Sequence, residues 1–130
     1  MLQANVPAWF EIPAVDLDRA QRFYERLLGV ELKREPYADG EQAIFPGGCP
    51  PLSSGALVRR AGLYAPSATQ GSVVYLAVED VRPLLARLGE MGGDVLLALT
   101  PVPGMPVVYA HIRDSEGNRV GLASVDAAAA

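Results

Sequence analysis

The sequence has few of the residues from which most metal sites and disulfides are built. Its 130 residues include one cysteine and one histidine. A single cysteine cannot form a disulfide within the chain, so we expect a cytoplasmic protein. A metal site with two histidines, or a zinc site with several cysteines, is excluded within one subunit.

Positive charge is also scarce. The chain has 11 Lys and Arg against 15 Asp and Glu, which gives a net charge of -4 at pH 7. Because the basic residues are few and scattered, we expect no nucleic-acid partner. The sequence shows neither an apolar run of membrane-spanning length nor a start typical of a signal peptide, so we expect no membrane partner.

The chain does contain an internal repeat. Half of its residues are hydrophobic, which suits one globular domain with a substantial core. The segments Trp9–Leu32 and Val73–Leu96 align without a gap, and Asp16 then meets Asp80. Each segment has a strand pattern, an Asp suited to cap a helix, an apolar stripe at helical spacing and a terminating glycine. We therefore expect each half to fold in the same way.

Strand patterns follow both predicted helices in the same order. Strands are predicted over residues 9–14, 30–35, 41–45 and 55–60 in the first half, and over 73–78, 95–99, 107–113 and 119–124 in the second. This order indicates an α+β fold of two tandem βαβββ modules, about residues 7–60 and 72–124. Residues 61–71 form the connector and 125–130 a tail. We expect the strands to form a curved mixed sheet, shaped as a cup, with the helices outside.

Alternation along the strands divides their side chains between two faces. With Phe10, Ile12 and Ala14 directed toward the helices, the side chains between them face the cup. By the same rule the cup is predicted to carry Trp9, Glu11, Val73, Tyr75, Tyr109, His111, Gly121 and Ala123. Aromatic rings with a few polar groups are typical of a small-molecule site. The small residues Gly121 and Ala123 leave room for a ligand.

Two stretches carry a family resemblance beyond the repeat itself. The segment "DLDRAQRFYERLLG" follows the first strand, and "DSEGNRVGLAS" forms the last turn and strand. Together with the duplication, they make the chain similar to the vicinal oxygen chelate superfamily, over roughly Pro7 to Ser124. That superfamily includes glyoxalase I, extradiol dioxygenases, fosfomycin-modifying enzymes and bleomycin-binding resistance proteins. The resemblance implies an active site inside the cup and a homodimer.

The resemblance also implies four positions at which metal-dependent members place His, Gln or Glu ligands. In this sequence those positions hold Trp9, Ala56, Val73 and Gly121. None of these side chains can coordinate a metal ion. We therefore expect no metal and no other cofactor, and the metal-dependent chemistry of the superfamily lacks its ligands here.

The polar residues of the predicted cup have structural as well as functional interpretations. Glu11, an acid among apolar neighbours, is a candidate for proton transfer, or else a solvated carboxylate or a partner for Arg113. His111 is a candidate for proton exchange near neutral pH, or else a hydrogen-bonded structural residue. A nucleophilic pair of Cys49 with His111 has no local support.

The aromatic residues are equally ambiguous. Trp9 is suited to stack on a ligand, but also to fill the cavity or a dimer interface. Tyr75 and Tyr109 are suited to donate hydrogen bonds to a ligand carbonyl or carboxylate, but packing accounts for them as well. The loop from Pro46 to Ser54 is a second candidate for the dimer interface.

Several functions follow from this pattern. We favour a metal-free protein that binds a small, partly aromatic organic molecule. The alternatives are a metal-independent acid–base lyase or isomerase, with Glu11 as base and His111 as acid, and a glyoxalase-like lyase or dioxygenase with unusual metal ligands. The last alternative is a subunit that binds no ligand. An enzymatic function would make the protein a lyase or isomerase related to lactoylglutathione lyase.

Overall fold

A computed structural model describes residues 8–37, 40–47 and 54–126. Residues 1–7, 38–39, 48–53 and 127–130 lie outside the described residues, and with them most of the predicted interface loop, including Cys49. The chain divides into two compact units between Pro66 and Ser67. Each unit is a four-stranded sheet with helical structure, so the predicted α+β class with two βαβββ modules is confirmed.

The first unit contains one long helix and five-residue strands. Its elements are β1 (Trp9–Pro13), α1 (Leu17–Leu28), β2 (Lys33–Tyr37), β3 (Gly40–Ile44) and β4 (Ser54–Val58). The sheet order is β1-β4-β3-β2, with β1 and β4 parallel and the other pairs antiparallel. The strand predicted over 30–35 lies at 33–37 instead, because the Leu32 N–H donates to the Glu25 carboxylate at 2.9 Å and holds this connection to the helix.

Local sequence explains both ends of α1. The Asp16 carboxylate accepts the N–H of Arg19 at 3.0 Å, as a helix N-cap does. Gly29 ends the helix with a φ of 67°, in the left-handed region that favours glycine. One stripe of α1 is buried, and Tyr24 packs edge-on against Phe45, with ring centroids 5.5 Å apart. The helix therefore covers one face of its sheet. No helix in residues 8–37, 40–47 and 54–126 is long and apolar enough to span a membrane.

The second unit repeats this topology. Its elements are β5 (Tyr75–Ala77), α2 (Val81–Arg87), a 3₁₀ turn (Leu88–Met91), β6 (Asp94–Pro101), β7 (Val107–Arg113) and β8 (Arg119–Val125), in the sheet order β5-β8-β7-β6. The terminating glycines of the second repeat are Gly92 and Gly93, so the pattern predicts a helix up to that point, but the α-helix ends at Arg87. Gly89 has low helix propensity, and a helix commonly tightens into a 3₁₀ turn at its end. The first strand is three residues long and excludes Val73.

A buried carboxylate organises the turn between β7 and β8. Asp114, 2% exposed, accepts the backbone N–H groups of Glu116 and Asn118, each at 2.9 Å, and the Asn118 side-chain amide at 3.0 Å. Gly117 has a φ of 98°, which completes the turn. Beyond the turn, His111 pairs with Gly121 and Tyr109 with Ala123. The predicted alternation on β7 is confirmed, since Val108, Ala110 and Ile112 are buried.

The two glycines Gly29 and Gly89 provide a matched stability test. Replacing Gly29 with Ala should lower the free energy of unfolding by about 1 kcal/mol, because its left-handed conformation strains any residue with a Cβ. Gly89→Ala should be neutral or slightly stabilising, since its φ is not positive and an added Cβ meets no described atom within 4 Å. Urea unfolding measures both. Equal effects of the two substitutions would contradict this interpretation of the Gly29 cap.

Candidate functional site

Three rings of the second unit lie together on the sheet face opposite the buried row of β7. Tyr75 of β5 contacts Tyr109 and His111 of β7, with ring centroids 5.9 and 5.4 Å apart, and the Tyr109 and His111 rings are 6.0 Å apart. Tyr75 remains 49% exposed, and the other two are half-buried. We call Tyr75, Tyr109 and His111 the aromatic face. Gly121 and Ala123 lie on it too, since they pair with Tyr75 and Tyr109.

Gly121 does not leave an open space on this face. A Cβ added at Gly121 would overlap the Tyr75 ring, and Gly121 itself is buried. The expectation that Gly121 leaves room for a ligand is therefore wrong, because the Tyr75 ring occupies that space. The accessible part of the face is the exposed side of Tyr75 and its neighbours, including the half-buried Ala123. Val73 lies just before β5 and is 36% exposed.

Both ring nitrogens of His111 have a protein partner. Nε2 lies 2.6 Å from the Tyr75 hydroxyl oxygen, and Nδ1 lies 3.0 Å from Nη1 of Arg119. The pKa of His111 is lowered from its usual 6.5, chiefly by desolvation and further by the positive charge of Arg119. His111 is therefore neutral at pH 7. The arrangement provides a hydrogen-bonded histidine rather than a free one.

Arg119 belongs to this cluster although the sequence interpretation omitted it. Its Nε donates to the carbonyl of Ala68 at 2.8 Å, and its backbone N–H donates to the carbonyl of Ser67 at 3.1 Å. Strand alternation alone could have placed it here, since Arg119 lies two residues before Gly121 on the same strand. Its hydrogen bonds to the connector carbonyls could not be predicted from strand alternation.

On the first unit, Trp9 and Glu11 extend from the same face of β1. They pair in register with Ser54 and Ala56 of β4, and Trp9 is 43% exposed. Glu11 accepts a hydrogen bond from the hydroxyl of Tyr64, and this bond is the main reason that the pKa of Tyr64 is raised. The suggested partner of Glu11, Arg113, instead forms an ion pair with Asp94 at 3.0 Å. Glu11 is thus a hydrogen-bond acceptor rather than an isolated acid.

A turn brings Tyr64 to Glu11. The N–H groups of Leu63 and Tyr64 donate to the Arg60 carbonyl, at 2.9 and 3.0 Å. The Arg60 guanidinium lies 4.3 Å from the centroid of the Tyr37 ring, within the range of a cation–π contact. The sequence pattern over residues 61–71 predicts only a connector and gives no role to Tyr64. Trp9 and Glu11 belong to the first unit, and the aromatic face belongs to the second.

The donor set does not fit a resident metal. Across the described ranges, no three His, Cys, Asp or Glu side chains are grouped so that they could hold an ion. The four positions implied by the family resemblance carry Trp, Ala, Val and Gly, whose side chains offer no ligand atom. His111 has both nitrogens engaged, and Nδ1 faces a guanidinium that repels cations. No reaction step is therefore assigned to a metal ion.

A depression of about 630 Å³ lies at the start of α1 in the first unit. Its charged groups are already occupied with one another. Arg34 donates to Asp18 and to Gln21, each at 2.7 Å, and Asp16 caps the helix. We assign no ligand to this depression.

Comparison with known proteins gives a family model and several solved structures that are similar to this chain. The family model described as Glyoxalase/Bleomycin resistance protein/Dioxygenase superfamily matches residues 7–122. TnmS3, an antibiotic binding protein from Streptomyces sp. CB03234, is 26% identical, with a TM-score of 0.70 over 97% of this chain and 100% of that chain. A glyoxalase/bleomycin resistance protein from the same organism is 29% identical, with a TM-score of 0.66 over 92% and 98%.

A more distant similarity is to an enzyme. A glyoxalase I mutant from Zea mays is 23% identical, with a TM-score of 0.63 over 92% of this chain and 45% of that chain, which shows the shared fold alone. No curated protein matches the chain.

The lowered pKa of His111 can be measured directly, because the chain has a single histidine. Its ring proton should titrate by NMR with a pKa below 6.5. Arg119→Gln should raise that pKa part of the way back, since the charge is lost while desolvation remains. Arg113→Gln, which removes a nearby charge paired with Asp94, should leave it unchanged. A wild-type pKa at or above 6.5 would contradict the described environment.

Proposed function

Because the chain belongs to the Glyoxalase/Bleomycin resistance protein/Dioxygenase superfamily, we propose that it binds a small, partly aromatic organic molecule on the aromatic face. The superfamily alone does not choose between binding and catalysis. The similarity to TnmS3, an antibiotic binding protein that aligns over nearly the whole chain, supports binding. An antibiotic or a related metabolite is the class of ligand that this similarity favours.

The observation that carries the proposal is the half-exposed group of three rings. Tyr75, Tyr109 and His111 lie with their centroids within 6.0 Å of one another. An aromatic ligand placed against them gains about 0.5–1.5 kcal/mol per ring contact beyond its burial. The Tyr75 hydroxyl adds a polar group that fixes the ligand's orientation. A scaffold without a ligand has no need for aromatic rings left half-exposed in this way.

The acid–base alternative receives less support. A general acid at His111 needs a proton that it can give to a substrate, whereas both ring nitrogens have protein partners and the lowered pKa of His111 disfavours its protonated form. Glu11 accepts from Tyr64. A lyase or isomerase built on these two residues would first have to break those hydrogen bonds. The metal-dependent alternative with Glu11 and His111 as ligands meets the same obstacle at His111.

The remaining predicted residues are proposed as ligand contacts within their own units. Trp9, with its exposed ring, is proposed to stack on an aromatic ligand. Glu11 is proposed to accept a hydrogen bond from a ligand that displaces Tyr64. Val73 is proposed as an apolar contact beside Tyr75.

We also propose that the protein is a cytoplasmic homodimer. The single cysteine supports the compartment, and the exposed Trp9 supports a self-association surface. Light scattering on the eluting protein tests the dimer, and a mass of 13.8 kDa in solution would overturn it.

Removing one ring should weaken ligand binding. After a thermal-shift screen of antibiotics and aromatic metabolites identifies a binder, Tyr109→Ala should raise its Kd about threefold to tenfold, the worth of one ring contact. Tyr37→Ala removes an exposed ring of the first unit and is the matched control. Isothermal calorimetry measures both. Weakening by Tyr37→Ala without weakening by Tyr109→Ala would contradict the placement of the ligand on the aromatic face.

Chelation should not affect stability. Dialysis against EDTA should leave Tm unchanged within about 1 °C, because no group of three His, Cys, Asp or Glu among the described residues could hold a divalent ion that stabilises the folded state. Differential scanning fluorimetry with and without added Zn²⁺, Mn²⁺ or Ni²⁺ measures the effect. A Tm that falls on chelation and recovers with one of these ions would overturn the metal-free interpretation.

A further inference from the structure

We propose that Arg119 is a positioning residue that fixes the tautomer of His111 and so turns the Tyr75 hydroxyl into a hydrogen-bond donor directed at the ligand. We infer from this that the ligand presents a neutral acceptor, an aromatic carbonyl group, to Tyr75. The inference rests on the proposed binding function, which it makes more specific. Its first half concerns the protein alone and is tested without a ligand.

The first step assigns the proton on His111. A guanidinium group has N–H donors and no acceptor at any accessible pH. Since Nη1 of Arg119 lies 3.0 Å from Nδ1 of His111, Nδ1 must accept this hydrogen bond through its lone pair. A neutral imidazole carries one proton, which is then on Nε2. The contact with Arg119 therefore selects the Nε2–H tautomer.

The second step assigns the hydroxyl hydrogen of Tyr75. Nε2 lies 2.6 Å from the Tyr75 oxygen, and Nε2–H is the donor of this bond. The phenol oxygen accepts, so its own hydrogen is not used toward His111. A hydroxyl that accepts one hydrogen bond donates a stronger one, because linked hydrogen bonds polarise one another. Since Tyr75 is 49% exposed, that donor is available to a bound molecule.

The third step concerns how firmly Arg119 is held. Its Nε donates to the Ala68 carbonyl at 2.8 Å. The connector at that point is itself fixed, since the Ser67 hydroxyl accepts the N–H groups of Thr69 and Gln70, at 3.2 and 3.0 Å. With two sets of hydrogen bonds on one guanidinium, Arg119 presents Nη1 to His111 in a defined direction.

The groups that face His111 all disfavour a second proton. Arg119 of β8 directs an N–H at Nδ1, and a protonated ring would oppose it with another N–H. Tyr75 of β5 and Tyr109 of β7 face His111 with their aromatic rings. Leu97 of β6, the cross-strand partner of His111, is apolar. Arg113, farther along β7, adds positive charge that Asp94 offsets. The direction of the His111 pKa shift agrees with this arrangement.

The ligand class follows from what the face offers. Its rings provide flat apolar surface, and its directed polar group is one donor. Two N–H groups of Arg119 already donate to His111 and to the Ala68 carbonyl, so the donor that this chain of hydrogen bonds directs at the face is the Tyr75 hydroxyl. A planar molecule with a carbonyl oxygen at its edge satisfies both features, whereas a hydrocarbon leaves the donor without a partner.

The tautomer is tested first, by long-range ¹H–¹⁵N NMR of the full-length ¹⁵N-labelled protein at pH 7.5. The single histidine makes the assignment unambiguous. We expect the shifts of a protonated Nε2 and an unprotonated Nδ1. Arg119→Leu should give a mixture of tautomers, Arg119→Lys should restore the wild-type pattern by supplying a donor, and Arg113→Gln should leave it unchanged. A wild-type ring protonated on Nδ1, or a mixture, overturns the proposal even if a variant fails to fold.

The ligand class is tested with two probes of matched shape, 2-acetylnaphthalene and 2-ethylnaphthalene, titrated by NMR. Wild type should bind the ketone about fivefold more tightly, the worth of one hydrogen bond. Tyr75→Phe should abolish that preference while retaining the affinity for the hydrocarbon. Equal binding of both probes by wild type overturns the carbonyl inference and leaves the binding function intact. Binding of neither, with the tautomer as expected, overturns the binding function and the ligand class together but not the role of Arg119.

Discussion

The second unit depends on the hydrogen bonds that Asp114 accepts in the turn between β7 and β8. A buried carboxylate is costly without partners, and here two backbone N–H groups and the Asn118 amide supply them. These bonds set which residue of β8 lies opposite which residue of β7. A shift of one residue would turn every side chain of β8 to the other face. The placement of Arg119 near His111 is a direct result of this register.

The general architecture could be predicted from local signals. Two aspartates and the glycines that follow them mark the helix ends, and the alternation of apolar residues assigns the faces of the strands. These features depend on neighbours within a few residues, so the sequence displays them. The ends of elements were less predictable, because the Glu25 carboxylate holds the connection before β2 and the glycine at 89 shortens α2.

The side-chain contacts around the candidate site residues could not be predicted from the sequence pattern, for a physical reason. The Tyr75 ring fills the space above Gly121, and nothing in the order of residues tells whether a ligand or a side chain occupies it. The contacts of the connector were likewise not predictable from the order of residues. Tyr64 reaches Glu11 in the first unit, and the Ala68 carbonyl holds Arg119 in the second. Each contact joins residues that are about fifty positions apart, and only the folded chain brings them together.

The glycine at position 121 has a consequence for how such a protein can change. The superfamily resemblance makes it a ligand position in metal-dependent members, yet here any side chain would collide with the tyrosine packed over it. A side chain with a carboxylate at that strand position would therefore require the Tyr75 ring to move. Positions 75 and 121 are coupled through this packing, so a substitution at one changes what the other can accommodate.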